Sequence, residues 1–126
     1  MALAFSTALR NARADAITSA AGSACKLAIY DGTRPASGGA ATTKLAEFTF
    51  SGNLAAAAAN GVLTLNVPPN ATGLAAGTAT WARITTSGGT FVVDLSVGSD
   101  ITLNTTTVSV GLTVQFTSGT ITEGNA

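Results

Sequence analysis

The apolar positions of this chain follow two successive patterns. Phe5, Leu9, Ala12, Ala16 and Ala20 recur at steps of four, three and four residues, with Ile17 beside them and Arg10 and Asp15 off the stripe. This spacing predicts one helix over residues 6–21, capped by Ser6 or Thr7 and ended by Gly22. Its alanine-rich stripe is narrow enough for close approach to a sheet or to a neighbouring subunit. From residue 25 the period becomes two. "CKLAIYDG" sets Lys26, Ala28 and Tyr30 against Leu27 and Ile29, then breaks at Asp31-Gly32. "KLAEFTF" leaves its phase open, because Leu45 falls on the opposite parity to Lys44, Ala46, Phe48 and Phe50. "SGNLAAAAANG" reads equally as helix or as a loop packed flat. "VLTLNVP" is a strand ended by Pro68 and Pro69. "TATWARITT", "TFVVDLSVG", "ITLN" and "TTTVSVGLTVQFTSGTIT" follow. In the last run Val108, Val110, Val114 and Phe116 share one parity, with Gly111 marking a bulge or bend. Seven or eight short strands behind one helix predict a mainly β fold. The expected architecture is a single-domain, antiparallel, jelly-roll-like β-sandwich over residues 25–122, preceded by one N-terminal α-helix, with 1–126 as one domain.

Charge narrows the range of partners. The 126 residues hold six Lys plus Arg and six Asp plus Glu, for zero net charge. No electrostatic excess is available to hold nucleic acid or an anionic membrane. Charged residues are 10% of the chain, against roughly 25% in an average soluble domain. Threonine, serine, alanine and glycine must therefore form the surface, and such a surface does little to keep copies apart. It suits a component of an assembly. No apolar run approaches the roughly 18 residues of a membrane span. The opening "MALAFSTALRNARADAITSAAGSA" is read as mature sequence, since Arg10, Arg13 and Asp15 interrupt what a signal peptide would keep apolar.

The chemical inventory is poor. There is no histidine, which removes the usual triads and most zinc sites. Asp15, Asp31, Glu47, Asp94, Asp100 and Glu123 are scattered without a paired motif, and Asp31 reads as an ordinary turn aspartate. Cys25 is the single cysteine and reads as a small buried apolar residue, the alternative being a reactive or intermolecularly paired thiol. The expectation is a protein that is not an enzyme, with no catalytic residue, cofactor, metal or small-molecule substrate.

"TWARITTSGGTFVVDLSV" is the stretch that departs from plain strand sequence. If Ser87 and Gly88 turn a hairpin, Ile84 faces Phe91, Ala82 faces Val93 and Thr80 faces Leu95 on the core side. The other side then holds Arg83 opposite Val92 and Trp81 opposite Asp94. Arg83 and Asp94 become diagonal neighbours, an ion pair beside a tryptophan. Two readings stand: a charge pair on a half-buried face with Trp81 covering it, or an intermolecular contact using Trp81 and Arg83. The candidate contact residues are Trp81, Arg83 and Asp94 on this face, Tyr30, Arg34 in the small-residue loop Thr33–Thr43, and Arg10 on the helix. An exposed Trp81 and Tyr30 would also allow stacking on sugar rings, which keeps a carbohydrate-binding or adhesion module among the alternatives.

The segments "LRNARADAI", "IYDGTRP" and "TATWARI", in order along nearly the whole chain with "NGVLTLNV" and "DITLNTTTVSVGLTVQFTSGTIT" between and after them, resemble small structural proteins of tailed bacteriophages. The resemblance implies a virion component made in the host bacterial cytoplasm. Within the virion, the expected role is a capsid cement, or decoration, protein on the capsid surface. Its partner would be the major capsid protein of the same phage, bound across the joints between subunits so that the expanded shell is stabilised. Self-association through exposed strand edges is a further expectation, and a tail or head-to-tail connector subunit is the alternative.

Overall fold

The computed structural model describes residues 5–36 and 38–122. Helix α1 (Thr7–Ala21) has the predicted ends. The Ser6 hydroxyl accepts from the Leu9 amide at 3.1 Å, and Gly22 donates its N–H to the Thr18 carbonyl at 3.1 Å. Its buried face differs from the predicted stripe. Ala14 and Ala21 are buried and Ile17 packs on the core, whereas Leu9, Ala12, Ala16 and Ala20 are exposed. Polar docking sets this rotation: Asn11 Oδ1 accepts from the Gly61 amide at 2.8 Å, and Asp15 Oδ1 accepts from the Ala58 amide at 2.7 Å. An alanine methyl gains only about 0.8 kcal/mol on burial. Two carboxamide and carboxylate bonds to half-buried amides outweigh that gain.

The chain is a β-sandwich behind this helix. β1 (Lys26–Tyr30), β2 (Lys44–Thr49), β6 (Trp81–Thr85) and β7 (Phe91–Ser96) form the first sheet in the order β2-β1-β6-β7, all antiparallel. β3 (Val62–Thr64), β8 (Ile101–Leu103) and β11 (Phe116–Thr122) form the second, in the order β3-β11-β8. Two short pairs, β4 (Ala71–Thr72) with β10 (Thr113–Val114) and β5 (Gly77–Thr78) with β9 (Thr107–Val108), share one register. They are the two ends of a single antiparallel ribbon that is interrupted in its middle.

Leu27, Ile29, Phe48, Ala82, Ile84 and Leu95 from the first sheet share one core with Leu63, Ile101, Leu103 and Phe116 from the second. Phe48 meets Phe116 edge to face with ring centroids 6.1 Å apart, the geometry that aromatic quadrupoles favour. Cys25 is fully buried in this core, and burial pushes its thiol up from the ordinary value. It therefore sits there as a neutral apolar group.

The two ambiguous segments have definite structures. A β-bulge leaves Leu45 unpaired between Lys44 and Ala46, so Leu45 and Ala46 are both buried and the strand changes phase there. The alanine run after Gly52 is a loop, with Leu54 and Ala55 buried and Ala59 exchanging backbone bonds with Val62. The shared parity of the last run is broken at the predicted Gly111 bend: Val108, Val114 and Phe116 are buried while Val110 is 74% exposed.

Candidate interaction surface

Except at Phe91 and Val92, the β6–β7 hairpin keeps its predicted faces, but not its predicted register. Ala82 lies opposite Leu95, Ile84 opposite Val93, Trp81 opposite Ser96 and Arg83 directly opposite Asp94, a shift of two residues on β7. The cause is the turn. It spans Thr86 to Thr90, closed by the Thr86 amide on the Thr90 carbonyl at 2.9 Å and the Gly89 amide on the Thr86 carbonyl at 2.9 Å, rather than reversing at Ser87-Gly88. A two-residue slip preserves side-chain parity, because the strand period is two. Val92 then stands unpaired between the Ile84 and Thr85 positions, a bulge that carries Phe91 from the core side to the opposite face.

That outer face of the first sheet is itself a small second core. Tyr30 lies opposite Trp81 across β1 and β6, and their rings stack with centroids 4.4 Å apart and planes 18° from parallel. Trp81 is 1% exposed and Tyr30 8%. The cover is the connection between β1 and β2, the small-residue loop after Asp31. Its first residues are fixed by the Thr80 hydroxyl, which donates to the Gly32 carbonyl at 2.6 Å. Its last residues are fixed by Asp31, whose Oδ1 accepts from the Thr43 amide at 3.0 Å while Thr42 Oγ1 bonds the Asp31 carbonyl. The Trp81 indole N–H donates into this closure, to the Asp31 carbonyl at 2.9 Å and to Thr42 Oγ1 at 3.1 Å. Ser37 of this loop lies outside the described residues.

Arg83 ties the middle of the loop down. Its Nε donates to Asp94 Oδ1 at 2.8 Å and its Nη2 to Asp94 Oδ2 at 3.1 Å, the two-point pairing that guanidinium geometry favours. Nη2 also donates to the Gly39 carbonyl at 2.7 Å. The guanidinium carbon lies 5.2 Å from the Trp81 ring centroid and 5.1 Å from that of Phe91, within cation–π reach of both. The side chains of Arg83 and Asp94 are only 12% and 5% exposed, so this pair is internal. The hydrogen bond it donates to Asp94 raises the guanidinium pKa above its ordinary value, and Arg83 is a permanent cation. Gly38 has φ of +79°, and a Cβ there would come within 3.1 Å of the Phe91 ring. Glycine is what lets the loop lie on the aromatic.

The remaining charges on this face are peripheral. Glu47 binds Lys44 at 2.8 Å and approaches Lys26 at 3.9 Å, exposed pairs of the kind that contribute about 0–1 kcal/mol. Arg34 is exposed on the loop. Arg10, half-buried on α1, lies against Gly61 and does not join the cluster. Trp81, Arg83, Asp94 and Tyr30 are thus brought together, and Arg34 and Arg10 are not. Burial of Trp81 and Tyr30 removes the exposed stacking surface on which a sugar-binding reading depended. Sequence reasoning missed Phe91, Asp31 and Thr42 as members of the cluster. An aspartate at one end of a small-residue loop and paired threonines at the other was the available signal for the last two.

Chemically the cluster closes a surface; it does not open a site. Both Asp94 oxygens are occupied by one guanidinium, and the indole N–H and Thr42 hydroxyl are bonded to each other or to backbone. Among the described residues no group of three His, Cys, Asp or Glu side chains is placed to hold a metal, and no ligand-sized cavity opens. What the face presents to solvent is the loop's outer side, with Thr33, Arg34, Ala36, Ala40 and Ala41, and the rim of Phe91. The helix adds the exposed row of Leu9, Ala12, Ala16 and Ala20. Glu123 lies outside the described residues. Comparison with protein-family models, curated proteins and solved structures finds no match to this chain.

Proposed function

We propose that the chain is a non-enzymatic structural protein of a tailed-phage virion, and within it a cement protein. In this role it binds across the joints of the major capsid protein and stabilises the expanded shell. The observation that carries this reading is the division of the first sheet's outer side. Trp81, Tyr30, Arg83 and Asp94 are enclosed, while a weakly charged layer of small residues is presented on a two-sheet frame. Such a layer suits close, many-copy docking better than capture of a small ligand. The sequence resemblance supplies the phage context. A copy that binds only the expanded shell stabilises that state by mass action, and repeated weak contacts on a shell give high total avidity.

Co-sedimentation with isolated expanded capsids lacking the protein tests the proposal. The expected result is saturable binding in hundreds of copies together with a raised capsid disruption temperature. Absence of binding would overturn the cement role and favour a tail or connector position.

A further inference from the structure

The loop that docks α1 ends in the chain's only Asn-Gly sequence, Asn60-Gly61. Ala59 and Val62 exchange backbone hydrogen bonds at 3.0 and 2.9 Å, and both residues between them have positive φ, +54° at Asn60 and +74° at Gly61. This is the two-residue type I′ turn, which asparagine followed by glycine adopts most readily. Glycine is required twice over. Few other residues hold that φ, and a Cβ at Gly61 would lie 2.5 Å from Arg10 Nη2, because the guanidinium from α1 rests on the glycine. Asn60 is exposed.

Asn-Gly is also the sequence most open to cyclisation, because a following residue without a side chain leaves its amide nitrogen unshielded. In that reaction the Gly61 nitrogen forms a bond to Asn60 Cγ. The side-chain nitrogen leaves as ammonia, taking up through solvent the proton that Gly61 gives up. Water then adds to either carbonyl of the succinimide and opens it to aspartate or isoaspartate. Ring closure needs the Gly61 nitrogen on the same side of the Asn60 Cα–C bond as Cβ. A type I′ backbone, with ψ of roughly +30° at its first central residue, turns that nitrogen to the far side. Bringing it round breaks the two Ala59–Val62 bonds and the bond that the Gly61 amide donates to Asn11 Oδ1 at 2.8 Å. The Ala58 amide, bonded to Asp15 Oδ1 at 2.7 Å, holds the near side of the turn to the same helix.

We propose that Asn60 is a deamidation site that the docked helix keeps closed, with Asn11 as the residue that holds the Gly61 amide out of reach. The amide is released when α1 lifts from the turn, so the native rate follows the fraction of molecules open there. Each event replaces a neutral side chain by a carboxylate on a chain of zero net charge. Isoaspartate also adds a methylene to the backbone, which the two-residue turn has no room for. Closure of this site depends on the folded chain alone and not on a shell.

Incubation of the full chain at mildly alkaline pH, native and in guanidinium chloride, tests it, with ion exchange and tandem mass spectrometry of the tryptic peptide 45–83 as readouts. That peptide also holds Asn53, Asn66 and Asn70, each followed by a residue larger than glycine, as internal references. In the unfolded chain Asn60 is expected to react well ahead of those three. In the native wild type it is expected to react at least about a hundredfold more slowly than in the unfolded chain. Asn11→Ala, shown to be folded by thermal unfolding, is expected to react about tenfold faster than the native wild type. Asn11→Asp, which keeps an oxygen acceptor, is expected to stay near the wild type. A native wild type that loses the Asn60 amide as fast as the unfolded chain would overturn the proposal. So would an unfolded chain in which Asn60 reacts no faster than the three references. A folded Asn11→Ala chain as slow as the wild type would overturn the role given to Asn11.

Discussion

Replacing Trp81 by alanine is expected to lower stability by about 4 kcal/mol, the range for deleting a large buried aromatic. For a domain of this size that lowers the unfolding midpoint by roughly 10–20 °C. Three losses combine. The indole leaves a cavity between the first sheet and its covering loop, Tyr30 loses its stacking partner, and the loop closure loses the N–H that reaches Asp31 and Thr42. Trp81→Phe separates them. It keeps an aromatic ring against Tyr30 but removes the hydrogen bonds and part of the buried ring, so an intermediate cost of about 2–3 kcal/mol is expected. Thermal or denaturant unfolding of the three proteins measures the difference. Equal stability of wild type and Trp81→Ala would mean that the outer face of the sheet is not a packed layer.

Breaking the internal ion pair is expected to be nearly as costly, and unequally so from its two sides. Arg83→Met leaves the Asp94 carboxylate 5% exposed with no cation against it, which costs about 3–4 kcal/mol. Asp94→Asn leaves Arg83 with the Gly39 carbonyl and two aromatic faces, and costs less, about 1–2 kcal/mol. Replacing both charges, Arg83→Met with Asp94→Leu, is expected to recover most of the loss, because an enclosed ion pair is offset by its own desolvation and an apolar pair of similar volume is often its equal. Urea unfolding of Arg83→Met, Asp94→Leu and the double variant gives the coupling between the residues. Strictly additive losses would mean that the two side chains do not act as a pair.

Much of this was readable in the sequence where local rules govern. Ser6 and Gly22 mark the helix because capping chemistry is local. The alternation of Lys26, Ala28 and Tyr30 against Leu27 and Ile29 marks a strand because the period is local. The face of the helix was not readable. Alanine stripes carry too little burial energy to set a rotation, and the deciding contacts run from Asn11 and Asp15 to amides some forty to fifty residues away. The hairpin shows the same boundary. Which residues share a face was legible at Trp81, Arg83 and Asp94. Their register was not, because it depended on a longer turn and on a bulge at Val92 that also reverses Phe91. The burial of Trp81 and Tyr30 was hidden for a different reason. Their cover is a loop of small residues, and nothing in its composition says onto which face it folds.

The Trp81, Arg83 and Asp94 layer is enclosed between the first sheet and its covering loop. Trp81 is the only tryptophan, so its fluorescence reports on that layer alone. Quenching by acrylamide in the native protein, compared with the unfolded chain, is the most direct test. Blue-shifted emission and strong protection are expected in the native state. Emission and quenching like those of the unfolded chain would contradict it, returning Trp81 and Arg83 to the exposed surface as contact residues.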